Sequence, residues 1–324
     1  MEFSLIERLR ERTACPREDV RLGIGDDAAL LAVPPGMELA VALDTMVEGV
    51  HFLPGQTPFD LGWKALAVNL SDLAAMGATP AWALLALTLP TAIDAAERVA
   101  FVDGFADGFA ALAREHHVAL VGGDTTGGPL AFSVAVHGFV PPGQALRRAG
   151  ARVGDAVLVT GTLGDAVAAL HLLREGQAQA GDAPLLERMH RPTPRVAAGL
   201  ALRGRAHACQ DISDGLVADL GHLCTASGVG AEIDADALPR SAALVARFGE
   251  PAARDFALAC GDDYELVFTA PEAVVATICR ELAPLGGATR IGRIVAGEGV
   301  HVHDAQGARL QAVRPGWDHF SAAP

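Results

Sequence analysis

An α/β protein of the α+β type, folded as two domains, is what this sequence predicts. Length is the first ground: 324 residues exceed the roughly 250–300 at which single cores stop growing. The second is pattern, because short apolar, β-branched runs recur between amphipathic helical stretches. The third is punctuation, since Pro141, Pro142 and Gly143 break the pattern near the middle. The expected domains are therefore residues 1–142 and 143–324.

Hydrophobic residues make up 51% of the chain and aromatics only 5%, so the core is built from Ala, Leu and Val. Lys and Arg number 25 against 39 Asp and Glu, a net charge of −14. Such a surface repels nucleic acid and anionic membrane, and neither is an expected partner. A polyanionic ligand would have to arrive with cations. The five cysteines are scattered, with no CxxC pair, which fits a reducing compartment better than a disulfide frame or zinc ribbon. The opening MEFSLIERLRER lacks the apolar stretch of a signal peptide, and the most apolar window, Ala81 to Leu89, is too short to span a bilayer. A cytoplasmic location is expected.

In chain order, Ser4 to Arg12 reads as a short helix with Leu5, Ile6 and Leu9 on one side. GIGDDAALLAV follows, with Asp26 and Asp27 ahead of an apolar strand; adjacent carboxylates repel unless solvated or bridged by a cation. The alternation in LAVALDTM predicts a strand that terminates at Asp44 and Thr45. His51 lies just beyond, and its spacing alone assigns it nothing. Phe59 to Met76 reads as a helix, Asp60 near its start and Gly77 at its C′ position. Its apolar side carries Leu66, Leu70 and Leu73, with Asn69 and Asp72 on a neighbouring face. A carboxylate there sits either at the solvent edge or on a metal.

A strand from Trp82 to Leu89 and a helix from about Asp94 to Arg114 lead to VALVGGDTTGGP. Here an apolar run is expected to stop at Gly122 and Gly123. Those glycines would free backbone N–H groups for phosphate oxygens, and Asp124 would offer a hard oxygen ligand to Mg²⁺. A Gly-rich hairpin turn explains the stretch equally well on its own. Ala131 to Val140 is the next strand.

Beyond the boundary, Arg147 and Arg148 form a surface pair or a phosphate clamp. A strand from Ala156 to Thr160 enters GTLGDAVAALHLL, a turn into a helix whose N-terminus either holds an anion or is capped by Thr162 or Asp165. Glu187 to Leu202 contains RPTPR, a stiff connector. In HACQDISDGLVADLGHLC, Asp211, Ser213 and Asp214 exceed what capping a helix near Asp214 requires, which favours metal and phosphate contact. ALACGDDYELVF repeats the grammar at Asp262 and Asp263, with Tyr264 and Glu265 leading into a strand. Asp26, Asp262 and Asp263 stay open between metal binding and turn shaping. Trp317 in the final GWDHF either packs on the fold or stacks on a flat ligand.

Aspartates at the ends of apolar elements, without a Cys/His ligand set, suit several Mg²⁺ ions around a polyphosphate and hence phosphoryl transfer. A Walker A loop is excluded, because Lys64 is the only lysine and lies in GWKAL. The protein-kinase motifs and a GxSxG elbow are absent too.

In order and spacing, GIGDDAAL, LDTMVEGVHF, KALAVNLSDLAAMGATP, GGDTTGGP, DISDGL, CGDDYEL and GWDHF resemble the thiamine-monophosphate kinase family. That family lies in the ATP-binding superfamily that includes aminoimidazole ribonucleotide synthetase. The likeness runs from Phe3 to Phe320. It implies ATP-dependent phosphorylation of thiamine monophosphate to thiamine diphosphate. It also implies an aminoimidazole-ribonucleotide-synthetase-like fold, in a homodimer whose N-terminal sheets join into a barrel. By motif position it implies magnesium ligands at Asp27, Asp44, Asp72, Asp124, Asp211 and Asp214. ATP contacts would fall at Gly123, Asp124, Arg148 and Ser213, and thiamine phosphate contacts at His51, Glu265 and Trp317. No residue is implied as general acid, base or nucleophile. Ala42 and Leu43 depart from the pattern, since relatives often carry hydroxyls there. The competing expectations are a ligase of the aminoimidazole-ribonucleotide-synthetase kind, against which His51, Glu265 and GWDHF speak, and a non-catalytic nucleotide-binding module.

Overall fold

A computed structural model describes residues 2–259 and 261–310. The chain divides into two units. One comprises the described residues to Leu73 with Ala78–Gly143; the other comprises Ala74–Gly77 and the described residues from Gln144 onward.

The first unit opens with α1 (Glu2–Arg12), which buries Leu5 and Leu9 as its spacing predicts. Two short strands follow, β1 (Val20–Leu22) and β2 (Leu30–Leu31), paired antiparallel. The apolar strand expected after Asp26 and Asp27 is thus only two residues long. Next come β3 (Glu38–Val47), α2 (Pro58–Ala75), β4 (Thr79–Leu89), α3 (Ala95–Glu115), β5 (Ala119–Gly127) and β6 (Ala131–Val140). Among the described residues the longer strands make one sheet in the order β3-β6-β4-β5, parallel only between β4 and β5. A parallel pair needs a crossover, and α3 supplies it. That helix starts on a capping box, with Asp94 accepting from the Ala96 and Glu97 amides while Glu97 accepts from the Asp94 amide.

Two expectations are corrected here. β3 does not terminate at Asp44 and Thr45 but runs on to Val47, because every residue from Glu38 has a partner on β6. β5 does not stop at its glycines either. It continues through Gly122, Gly123, Asp124 and both threonines beside β4, after a register shift that leaves Val121 as the extra residue. The hairpin alternative for this stretch falls as well. Gly123 has φ 153°, and a Cβ there would run into the Leu85 carbonyl, so the strand passes only as glycine.

On the sheet, Trp82 meets Phe139 edge-on at 5.0 Å among Ala81, Ala119 and Val121. Helix α2 buries Leu61, Leu66, Leu70 and Leu73, together with Asn69 and the sole lysine, Lys64. The buried Asn69 has a clear purpose. β3 is an edge strand, and the outward Asp44 N–H donates to Asn69 Oδ1 at 2.9 Å.

The second unit holds β7 (Ala156–Thr160), α4 (Asp165–Arg174), α5 (Ala183–His190), α6 (Val196–Leu202), β8 (Ala208–Asp211) and α7 (Leu216–Ser227). It continues with β9 (Gly230–Asp234), α8 (Ala242–Phe248), α9 (Glu250–Ala259), β10 (Leu266–Ala270), α10 (Glu272–Leu282), β11 (Ala288–Val295), β12 (Gly299–His303) and β13 (Arg309–Leu310). The described strands form a sheet in the order β13-β12-β9-β11-β7-β10-β8. Its central strands β7 and β10 are buried along their whole length, and Leu216, Leu220 and Leu223 of α7 join their cluster. RPTPR is the connector its prolines predict, joining α5 to α6, and the rest of Glu187 to Leu202 is helix. No helix among the described residues is long and apolar enough to cross a membrane. Cys15, Cys209, Cys224 and Cys279 are free thiols.

Candidate functional site

In the first unit, Asp26, Asp27, Gly123 and Asp124 line one cavity of about 910 Å³, with Ile6, Leu84 and His137 among its other walls. β5 delivers Gly123 and Asp124 as exposed residues of an edge strand. Asp27 is exposed in the turn before β2, and its N–H donates to Asp26 Oδ1 at 2.9 Å. His137 Nδ1 is buried without a hydrogen-bond partner. Burial holds the His137 imidazole below its ordinary pKa, against a hydrogen bond from the ring to the Trp82 backbone that raises it, so the ring is neutral at pH 7.

Asp44 and Asp72 are half-buried, on β3 and α2. The sheet register does not bring Asp44 and Asp124 onto one face. Asp44 lies in the row of Val134, Leu85 and Gly123, whereas Asp124 lies opposite Ala86 and so on the other face. His51 is half-buried, its Nδ1 accepting the Val47 N–H at 3.0 Å. Of the positions that depart from the family pattern, Leu43 is 62% exposed and Ala42 half-buried.

In the second unit, two loops interlock. Asp211 closes β8 at 6% exposure, followed by exposed Ser213 and half-buried Asp214. Backbone hydrogen bonds tie this loop to residues 261–265. The Ile212 N–H donates to the Glu265 carbonyl (2.8 Å), the Tyr264 N–H to Ile212 (2.9 Å) and the Asp262 N–H to Ser213 (2.8 Å). Gly261 is required there, since a Cβ would strike the Ser213 carbonyl, and Asp262 and Tyr264 take positive φ of 71° and 50°.

The helix after this loop starts near Asp214 as expected, at Leu216, but neither Asp211 nor Asp214 caps it. The carboxylate that holds its start is Asp219, whose Oδ2 accepts the N–H groups of Ser213 (3.0 Å), Asp214 (3.0 Å) and Gly215 (3.1 Å). Burial foremost pushes the Asp219 carboxyl up to about 7; the charges of Asp211 and Asp214 add to this and the backbone hydrogen bonds oppose it. At α4 the expected anion site is filled from within, because both Asp263 oxygens accept the Gly164 N–H at 3.0 Å. Neither Thr162 nor Asp165 caps that helix. Burial raises the Asp263 carboxyl well above the usual range.

Glu265 is fully buried, and its carboxylate is engaged by protein groups. Thr160 Oγ1 (2.6 Å) and Arg195 Nε (2.6 Å) donate to Oε2; Arg188 Nη2 (2.7 Å) and Arg195 Nη2 (2.5 Å) donate to Oε1. Burial alone would lower the Arg195 pKa, yet the hydrogen bonds and charge of Glu265 carry it up. Arg148 is exposed, its backbone carbonyl accepting from Ser227 Oγ. Trp317 lies outside the described residues.

Among the described residues no group of three or more His, Cys, Asp or Glu side chains is arranged to hold a metal ion. The donor chemistry nonetheless fits magnesium: the cavity collects carboxylates from Asp26, Asp27 and Asp124 and no thiol. Sequence reasoning missed Asp219, Arg188, Arg195 and His137. For Asp219 a signal existed, since it falls three residues after Leu216 and four before Leu223, on the apolar side of its helix.

Residues 25–140 match the family described as AIR synthase related protein, N-terminal domain, and residues 152–305 match AIR synthase related protein, C-terminal domain. The thiamine-monophosphate kinase of Salmonella typhimurium is 50% identical over 274 residues, covering 84% of this chain and 83% of that protein. The Escherichia coli K12 enzyme of the same name is 48% identical over 326 residues, covering 99% and 98%. Among solved structures, thiamine-monophosphate kinase from Stenotrophomonas maltophilia superposes with TM-score 0.86 at 52% identity, covering 93% of this chain and 96% of that one. AaThiL complexed with AMPPCP and TMP gives TM-score 0.78 at 34% identity, covering 98% and 97%.

Proposed function

The chain belongs to the thiamine-monophosphate kinase family within the AIR synthase related proteins, and on that premise we propose which of its residues carry the reaction. It transfers a phosphoryl group from ATP to thiamine monophosphate, giving thiamine diphosphate. The observation that carries the residue assignment is the cavity lined by Asp26, Asp27, Gly123 and Asp124.

In this reading the Gly122–Asp124 stretch of β5 receives the ATP phosphates, because glycine lets them approach the backbone. Asp27 and Asp124 are the first candidates to hold Mg²⁺, with Asp44, Asp72, Asp211 and Asp214 as further ligands, and Arg148 and Ser213 as ATP contacts. Magnesium, when bound, supplies the positive charge that lets two anionic phosphates meet on a protein of net charge −14. The acceptor phosphate is already anionic at pH 7, with a second pKa near 6, so no side chain has to deprotonate it. Transfer is direct and in line: an acceptor oxygen bonds to the γ-phosphorus as the bond to the ADP oxygen breaks. His51 and Trp317 are assigned to the thiamine phosphate. Glu265 is assigned there through Arg188 and Arg195, which its carboxylate holds.

An acceptor screen that follows ADP release tests the function. Turnover with a formylglycinamidine substrate but not with thiamine monophosphate would refute it, and so would a labelled phosphoprotein trapped from γ-labelled ATP refute direct transfer.

The homodimer is supported by edge strand β3. Leu39, Val41 and Leu43 are 43%, 59% and 62% exposed on one face, with Leu84 of β4 at 37% in the row of Leu43. An exposed apolar edge of this kind is a pairing surface, and a barrel shared by two N-terminal sheets would cover it. Val41→Asp should give a monomer by sedimentation. A wild-type chain that is monomeric at micromolar concentration would end this reading. Free cysteines and the acidic charge support a cytoplasmic location.

A further inference from the structure

We propose that Asp219 is the positioning residue of the loop Asp211–Gly215, holding Ser213 and Asp214 in place through their own backbone amides. The proposal rests on the reading that Ser213 and Asp214 serve ATP and its metal.

Three successive N–H groups, from Ser213, Asp214 and Gly215, converge on the single oxygen Oδ2. Such a run of amides is the concavity that elsewhere binds a phosphate or another anion. Here a side chain of the same chain fills it, at 1% exposure. Oδ1 is fixed in turn by Gln210 Nε2 at 2.9 Å, so the carboxylate has little room to rotate. The loop is thereby braced from beneath by Asp219 and from the side by residues 261–265, while Ser213 stays exposed and Asp214 half-exposed. Three bonds to one oxygen fix the direction in which these side chains leave the backbone.

Gln210 also makes the idea testable by a conservative change. Its Oε1 is buried without a hydrogen-bond partner. In Asp219→Asn, the new oxygen can still accept the three amides. The new NH₂ would then face Gln210, whose amide can turn over to present Oε1. Asp219→Ala offers the amides nothing.

Hydrogen exchange on the full chain reads the anchoring without any ligand, and steady-state kinetics read its use. The Ser213, Asp214 and Gly215 amides should lose protection in Asp219→Ala and keep it in Asp219→Asn. KM for ATP should rise roughly 10–100-fold in Asp219→Ala, with KM for thiamine monophosphate unchanged, and return close to wild type in Asp219→Asn. Protected amides in a folded Asp219→Ala would overturn the anchoring. Released amides with unchanged ATP kinetics would instead overturn the assignment of Ser213 and Asp214. If Asp219→Ala does not fold, Asp219→Asn decides alone: released amides together with a raised KM for ATP would uphold the anchoring and its use, whereas released amides with unchanged ATP kinetics, or protected amides with a raised KM for ATP, would overturn the proposal.

Discussion

Glu265 offers the sharpest measurable perturbation, because motif position makes it a substrate contact while the structure surrounds it with protein. Its side chain is 0% exposed, and the Arg188 and Arg195 side chains that grip it are 20% and 14% exposed. Glu265→Gln keeps the volume and two or three hydrogen bonds but leaves two largely buried guanidinium groups without their counter-charge. Removing one partner of a buried ion pair typically costs about 3–5 kcal/mol. With a urea m-value near 2 kcal/mol/M, that is a fall of about 2 M in the unfolding midpoint. The control is a triple change, Glu265→Leu with Arg188→Met and Arg195→Met, which removes all the charge and should recover most of the loss. Denaturation followed by circular dichroism, with and without thiamine monophosphate, is the assay. A Glu265→Gln protein with a midpoint within about 0.3 M of wild type and a raised KM for thiamine monophosphate would refute the reasoning, for Glu265 would then be a direct contact.

Other expectations can be checked with the same preparations. Gly123→Ala must push the Leu85 carbonyl away at a backbone angle that alanine avoids; a loss of at least ~2–4 kcal/mol in chemical unfolding is expected. Asp72→Asn should lower kcat by orders of magnitude while leaving the melting temperature within a few degrees, and near wild-type turnover would remove Asp72 from the metal set. His116 should make stability depend on pH. Burial chiefly depresses its folded pKa, with the His117 charge adding and the Glu115 charge opposing. Its contribution is therefore complete above the unfolded value of about 6.5 and is lost as pH falls through the lower folded value. Wild type should lose more urea resistance than His116→Gln between pH 8 and pH 5, and parallel pH profiles would count against the buried neutral ring.

What was legible in the sequence follows from where local and tertiary forces agree. The strands Ala131–Val140 and Ala156–Thr160 stand where β-branched content and alternation put them, and Asp94 marks the start of α3 because its cap is a local interaction. The second half of β5, from Gly122 to Gly127, was not legible, since glycines are poor strand residues until a neighbour pairs with them. Here β4 does so, and a bulge re-sets the register, so tertiary pairing overrode propensity. The same applies to the acidic residues. Their number is plain from the sequence, but which of them serve the fold is settled only by what lies against them. Asp26, Asp27 and Asp124 reach a common cavity, whereas Asp219, Asp263 and Glu265 turn inward and accept hydrogen bonds that the fold would otherwise leave unmade. Burial sorts the two groups. An exposed carboxylate is available to a cation, while one at 0–2% exposure persists only because amides or guanidinium groups already serve it. On this view the GDDYEL motif shapes the chain beneath the site more than it supplies ligands.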